Sequence, residues 1–392
     1  MTFLTILGSL LAGGLLWGWL SFRALRRRGK VGWAWAALGF ALLQAGLLVF
    51  MVGSSRSLFG SWSETMPRVL NSWIFIWHLL FLPPWVIWTI AKGLSALAKK
   101  ISGYQARETA PEPATGWSRR QFLTAATVFT PPLITGATAL ASENWLEQFR
   151  VRRLVVPIAN LPAALDGLTI AQVSDVHVGR FTHGRLLERV VEETNRLEAD
   201  VVALTGDLIN DTLRAMPPAL ELARGLRAKQ IVVACEGNHD LIEDPERFYR
   251  EAEKGGLPLL RNDAATMTFR GQKVQFLGLP WDHTPRKTHE SMQALLAHRD
   301  PAAWPILLAH HPHAWDDAGD IPLTLSGHTH GGQIMFNERA GFGSLFYRYW
   351  SGLYTRKQNA LVVSNGVGNW FPVRVQAPAE ILHLTLRPAT AV

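Results

Sequence analysis

The sequence predicts a chain in two parts of different fold class: an all-α transmembrane region over residues 1–149, then a layered α/β domain over residues 150–392. Three observations predict this. Four long apolar runs with almost no charge crowd the first third of the chain. From about Leu154 the pattern changes to short β-rich runs separated by charged, helical stretches. Acids, amides and imidazoles then fall immediately after those β-rich runs, where an α/β scaffold builds its site.

The apolar runs cover residues 2–22, 31–52, 70–94 and 122–141, and Lys92 is the one charged residue among them. Each approaches the roughly 20 residues that cross a bilayer. Several in succession, rich in Leu and Trp, read as membrane helices and not as buried helices of a soluble core. Pro131 and Pro132 predict a kink in the fourth. Net charge is +8, yet Lys and Arg nearly balance Asp and Glu from Arg150 onward, so the excess is N-terminal. Arg23, Arg26, Arg27, Arg28 and Lys30 follow the first run; Lys99, Lys100, Arg107, Arg119 and Arg120 lie between the third and fourth. Positive loops stay inside, so both are expected in the cytoplasm, with residues 95–120 as a linker containing Pro111 and Pro113. That order places the α/β domain outside the cytoplasmic membrane. The basic balance thus reports topology; no nucleic-acid partner is expected, and no specific protein partner is evident.

Ser118, Arg119 and Arg120 open the fourth run, and residues 118–142 resemble a twin-arginine export segment. Two readings stay open: cleavage near residues 138–142 would release the domain, whereas an uncut helix would anchor it. Either one delivers the domain across the membrane. Cys235 is the single cysteine, so no intramolecular disulfide or cysteine-based metal site exists, and it reads as a small core residue.

Strands are expected over residues 168–173, 201–204, 231–235, 273–277, 306–309, 323–325, 360–363 and 379–386. Several have too few polar positions to face water. Amphipathic helical spacing marks residues 185–199 and 215–229, and strand, helix, strand at these distances argues for a buried sheet. Asp175 and His177 follow the first strand, Asp207 the second, Asn238 and His239 the third, His310 a later one, and His328 and His330 the one at 323–325. Side chains at strand ends converge on one crevice while the sheet holds them still. His183, His283, His289, His298 and His313 follow no such pattern and read as surface residues or supports behind the site.

Asp175-Val176-His177, Gly206-Asp207, Gly237-Asn238-His239-Asp240, His310 and Gly327-His328-Thr329-His330 stand in an order that resembles the calcineurin-like metallophosphoesterase superfamily. Residues 168–175, 326–333 and 364–368 look like its branch of exported or membrane-associated phosphodiesterases, often named after UDP-2,3-diacylglucosamine hydrolase. The resemblance implies a four-layer α-β-β-α sandwich. It also implies two divalent metal ions: Asp175, His177 and His330 on one, Asn238, His310 and His328 on the other, and Asp207 bridging them. Mixed Asp and His ligands suit Mn, Fe, Zn or Co. A water shared by the pair would be the nucleophile on a phosphodiester or pyrophosphate.

His239 is implied to face the substrate, where it stabilises phosphoryl charge or protonates the leaving oxygen. Relatives orient it with a carboxylate three residues after the bridging Asp; this chain has Asn210 there, with Asp211 next. An Asn side chain can fix the ring but cannot stabilise imidazolium as a carboxylate does, which favours a substrate with a good leaving group. His310 is preferred to His311 as the first residue past its apolar run. Arg180 reads as a solvated residue or a phosphate contact, and Gly331 and Gly332 as a turn needing positive φ. Phe342, Leu345, Phe346, Tyr347, Tyr349 and Trp350 either lean on lipid or pack over a sheet edge.

The expectation is a membrane-anchored phosphoesterase acting on a phosphorylated small molecule or lipid. A phosphomonoesterase, including a protein phosphatase, and a metal-stabilised sensory module are the competing readings, and the complete ligand set argues against the last.

Overall fold

The computed structural model describes residues 3–54, 66–102, 119–338 and 340–389. The loop expected between the second and third apolar runs, and most of the linker, lie outside the described residues. The chain divides into two compact units, Met1–Glu143 and Asn144–Val392.

In the first unit, α1 (Phe3–Arg26) and α2 (Val31–Ser54) form a helical hairpin. A third helical run, Arg68–Ile101, is longer at both ends than the expected 70–94. Its six residues Ile76–Phe81 widen into a π-helical turn directly before Pro83 and Pro84. Those prolines bring no N–H to the regular ladder, so the backbone ahead of them adopts another spacing. Trp17, Phe40 and Trp77 meet edge to face at 4.7 to 5.6 Å and fill the inside of this unit. Among the described residues three helices are long and apolar enough to cross a membrane. The fourth apolar run is helical over Arg119–Leu146 and passes Pro131 and Pro132 without a break.

The second unit stacks two sheets. The first has the order β1-β13-β2-β3-β4, with β1 Phe149–Ile158, β2 Thr169–Val173, β3 Val201–Thr205, β4 Ile231–Cys235 and β13 Ala379–Pro388. The other runs β11-β12-β8-β7-β6-β5, with β5 Asp263–Phe269, β6 Gln272–Gly278, β7 Trp304–Leu308, β8 Leu323–Ser326, β11 Gly352–Arg356 and β12 Asn359–Val363. Strands β2, β3 and β4 are mutually parallel, as are β6, β7, β8 and β12.

Ile170, Ala203 and Val233 of one sheet share a dry core with Phe276, Ile306 and Leu325 of the other. Helices Arg185–Arg196, Met216–Gly225 and Pro245–Gly255 cover the outer face of the first sheet, where Leu187, Val190, Ala219, Leu220 and Phe248 are buried. Helix Pro285–Leu296 buries Met292 and Leu295 on the outer face of the second. The result is a four-layer α-β-β-α sandwich. Central position explains the composition: all five residues of β3 are buried, because sheet neighbours and both facing layers leave no side for water.

Local chemistry sets the helix ends. Asp244 accepts from Arg247 N at 3.0 Å to cap Pro245–Gly255, which stops at Gly256 in the left-handed region. Cys235 is buried in the inter-sheet core, and burial pushes its thiol pKa up. Edge strand β1 pairs with β13 in parallel over ten residues and carries Arg150 onto the buried carboxylate of Glu380 at 3.1 Å.

Candidate metal centre

Every candidate ligand sits in a loop leaving the C-terminal end of a parallel strand: β2, β3 and β4 from one sheet, β7 and β8 from the other. Two sheets therefore aim five loops at one place. Backbone bonds lock the loops together, with Asp175 N on Gly206 O and His177 N on Asp207 O, both at 3.0 Å.

The side chains form two groups that share one carboxylate. Asp175, His177 and His330 are buried together; His330 Nε2 lies 3.3 Å from Asp175 Oδ1 and 2.9 Å from His177 Nε2. Asp207, His310 and His328 make the second group, and Asn238 joins it with Oδ1 2.9 Å from His328 Nδ1. Asp207 Oδ2 stands between them, 3.5 Å from His177 Nε2 and 3.1 Å from His310 Nε2. His310 is oriented by Nδ1–H donating to Thr205 O at 2.7 Å, which leaves Nε2 as a lone-pair donor aimed at the carboxylates. His311 points elsewhere and accepts from His313 N through Nδ1 at 3.2 Å.

This donor set fits divalent cations. Two imidazole nitrogens face each other across 2.9 Å beside a carboxylate, and buried His310 Nε2 faces the Asp207 carboxylate. The backbone carries the same mark. Asp175, His177, Asp207, His328 and His330 all have positive φ, between 48° and 72°. A non-glycine residue there costs about 1–3 kcal/mol, and such strain persists where the surrounding structure over-determines it. Two close approaches require glycine. A Cβ on Gly237 would run into the Asp207 carboxylate, and one on Gly332, at φ +66°, would strike the Gly343 backbone.

Burial alone would raise the Asp175 and Asp207 carboxyls, but the neighbouring imidazoles, His330 and His310 for the first and His310 and His177 for the second, hold both well below the usual range. Burial lowers His177, His328 and His330, the second to about 3. For His310 burial is overcome by Asp207 and Asp175, which raise it to about 10. The metal-free cage therefore keeps one proton on His310 at neutral pH. A ligand imidazole must be neutral, so metal uptake at pH 7 is expected to release about one proton per chain. Calorimetry in buffers of different ionisation heat checks this; a buffer-independent heat would contradict it. Because the folded value lies above the ordinary 6.5, the stabilisation from charged His310 is complete below pH 6.5 and is lost as pH rises toward about 10.

Asp240 pins the loops from below. Its Oδ1 accepts from Ile209 N at 3.0 Å and Oδ2 from Gly237 N at 2.8 Å, while burial and then Asp207 raise its pKa to about 7. Asp240→Asn points an amide N–H at a backbone N–H, so a loss of about 1–3 kcal/mol is expected in chemical denaturation. An unchanged midpoint would contradict that role.

His239 lies at the rim, half-buried, with its ring 4.6 Å from that of His177. Its Nδ1 donates to the main-chain oxygen of Asn210 at 2.5 Å, while the Asn210 side-chain oxygen is buried without a partner. The orienting group is thus the Asn210 carbonyl and not its amide, because the chain presents its backbone at that point. Asp207, His177 and His239 also lie close enough to form a third ligand-sized group. Arg180 is tied to Asp211 at 3.7 Å, and His289 to Asp317 at 3.1 Å.

Sequence reasoning missed several participants. Arg374 donates to Asn369 Oδ1 at 2.7 Å and Asn365 O at 2.9 Å, and its Nη2 lies 2.9 Å from His330 Nδ1. No motif signals it. Trp281, whose N–H donates to buried Glu236 at 2.8 Å, lies over His328 at 5.1 Å. With Tyr347, His311 and His313 it lines a cleft of about 340 Å³ that opens beside His310 and His328. Of the aromatic stretch, Tyr349 and Trp350 are buried, whereas Phe342, Leu345 and Phe346 are exposed.

Comparison with known families matches residues 168–332 to the calcineurin-like phosphoesterases. A "Transmembrane protein with metallophosphoesterase domain" of Danio rerio is 30% identical over 250 residues, 60% of this chain and 56% of that protein. An "Uncharacterized metallophosphoesterase" of Helicobacter pylori is 29% identical over 243 residues, 59% of this chain and 64% of that one. The chain thus spans less than two thirds of either relative. "Uncharacterized metallophosphoesterase YkuE" of Bacillus subtilis is 29% identical over 282 residues, 69% of this chain and 98% of that protein.

Proposed function

We propose, from the match of residues 168–332 to the calcineurin-like phosphoesterases, that the chain is a membrane-anchored hydrolase of phosphodiester or pyrophosphate bonds working with two divalent cations. The observation that carries this reading is the place of Asp207 Oδ2, within 3.5 Å of His177 Nε2 and 3.1 Å of His310 Nε2. One carboxylate oxygen between two ligand sets is what a shared bridge requires.

Asp175, His177 and His330 would hold one cation, Asn238, His310 and His328 the other, with Asp207 common to both. Cations held there would supply Lewis acidity toward phosphoryl oxygens and an activated water. The chain's own residues do the rest. Thr205 O fixes the tautomer of His310, and Ser174 Oγ donates to Asp175 Oδ2 at 2.5 Å, so the cage is oriented from behind. His239, its Nδ1–H held by the Asn210 carbonyl, would deliver a proton from Nε2 to the leaving oxygen when the ring is doubly protonated and would be left neutral. The cleft beside Trp281 and Tyr347 gives the leaving group a place.

Full-length protein loaded with Mn should hydrolyse bis(p-nitrophenyl) phosphate faster than p-nitrophenyl phosphate. The reverse preference would make it a phosphomonoesterase, and inactivity on both with metal bound would make it a binding module. The substrate proposed is envelope-associated and either lipid-linked or nucleotide-linked. The basic loops favour an extracytoplasmic side for the catalytic unit. A C-terminal reporter active only outside the cytoplasm should be active, and a silent one would reverse that topology.

A further inference from the structure

The segment between the last candidate ligand, His330, and Tyr347 exposes apolar side chains in an arrangement that packing does not explain. Strand β9 (Met335–Asn337) pairs with β10 (Ala340–Gly341) as a small hairpin. Met335 is buried, and Phe336, pointing to the other side, is 62% exposed. A single helical turn, Gly343–Phe346, follows Phe342. Phe342, Leu345 and Phe346 stand at positions i, i+3 and i+4, hence on one face, and are 43%, 73% and 77% exposed. Phe336 meets Phe342 edge to face at 5.8 Å, which makes the four side chains one patch. Contiguous exposed apolar groups of this kind mark an interaction surface.

We propose that this patch inserts into the interfacial layer of a lipid bilayer and holds the mouth of the site at the lipid surface. Among its described residues the same chain carries three helices of membrane-spanning length, so a bilayer is the apolar phase at hand. Phe and Leu on one side of a short element are suited to the boundary between headgroups and acyl chains. Arg348, with its side chain 70% exposed and 4.0 Å from Asp316, stands beside the patch and suits lipid phosphates. Continuity with the site gives the contact a purpose. Phe346 faces out, and the next residue, Tyr347, turns inward with its hydroxyl 3.4 Å from His328 Nε2. A phosphodiester at the headgroup level would reach the cage without leaving the membrane. This substrate class rests on the phosphoesterase reading above.

The test uses the full chain in nanodiscs of phosphatidylcholine and phosphatidylglycerol. Cys235, the only native cysteine, is buried, so a bimane label can be placed on Phe346→Cys and, as a control, on exposed Glu192→Cys. Lipids brominated near the top of the acyl chain should quench the label at 346 at least about twofold more than at 192. Equal quenching would overturn the proposal, as would protection of the label by self-association, which would assign the patch to a second copy. In parallel, the double variant Leu345→Ser, Phe346→Ser should hydrolyse a soluble diester within about twofold of wild type, but a diester lipid in vesicles about tenfold more slowly. Equal rates on both would also overturn it. If wild type turns over no diester at all, the phosphoesterase reading fails, while the quenching result still decides the lipid contact.

Discussion

Asp207→Asn is expected to lower turnover by at least about 10³-fold, roughly 4 kcal/mol of transition-state stabilisation at 1.36 kcal/mol per tenfold. The geometry dictates which way the new amide turns. Asp207 Oδ1 accepts the His239 N–H at 2.8 Å, so the amide oxygen must stay there. The NH2 group then replaces Oδ2, between His177 Nε2 and His310 Nε2, where it is a donor and cannot bind a cation. Loss of the carboxylate also removes the charge that opposes burial at His310. Metal content measured by mass spectrometry should fall by about one equivalent per chain or more. Turnover within tenfold of wild type with full metal content would show that Asp207 is no bridge.

His239→Ala is expected to have the second largest effect, and one that depends on the leaving group. The backbone N–H that Asp207 accepts survives the substitution, so the cage should load metal as before. What disappears is a ring held by the Asn210 carbonyl at the rim of the site. With an alkoxide leaving group that needs a proton, a loss of about 10² to 10⁴ is expected; with p-nitrophenolate, about tenfold or less. The slope of log kcat against leaving-group pKa reads this difference. An equal loss across the series would make His239 a charge stabiliser and not a proton donor. Asn210→Ala should be mild by comparison, because it is the main-chain oxygen of Asn210 that holds the ring.

Central strands were legible in the sequence because burial on both faces leaves an uninterrupted apolar run, as in Val201–Thr205 and Trp304–Leu308. Strands β1, β5 and β11 were not, and all three lie at sheet edges. Edge strands carry charge and alternate, and β1 with Arg150, Arg152 and Arg153 looks polar until β13 is seen beside it. The cage residues were legible for a different reason. Each follows an apolar run directly, and the spacing within Asp175-Val176-His177 and His328-Thr329-His330 sets both pairs off. Arg374, Trp281 and Glu236 were not, since each acts through contacts made by tertiary packing and carries no local pattern. Likewise, no local pattern shows that Asn210 would act through its carbonyl, because backbone groups are the same at every position.

Crystals of the full chain soaked in Mn and measured at a wavelength of strong anomalous scattering test the central claim most directly. Two peaks should flank the Asp207 carboxylate, one among Asp175, His177 and His330, the other among Asn238, His310 and His328. A single peak, or peaks that Asp207 does not touch, would contradict the shared cage.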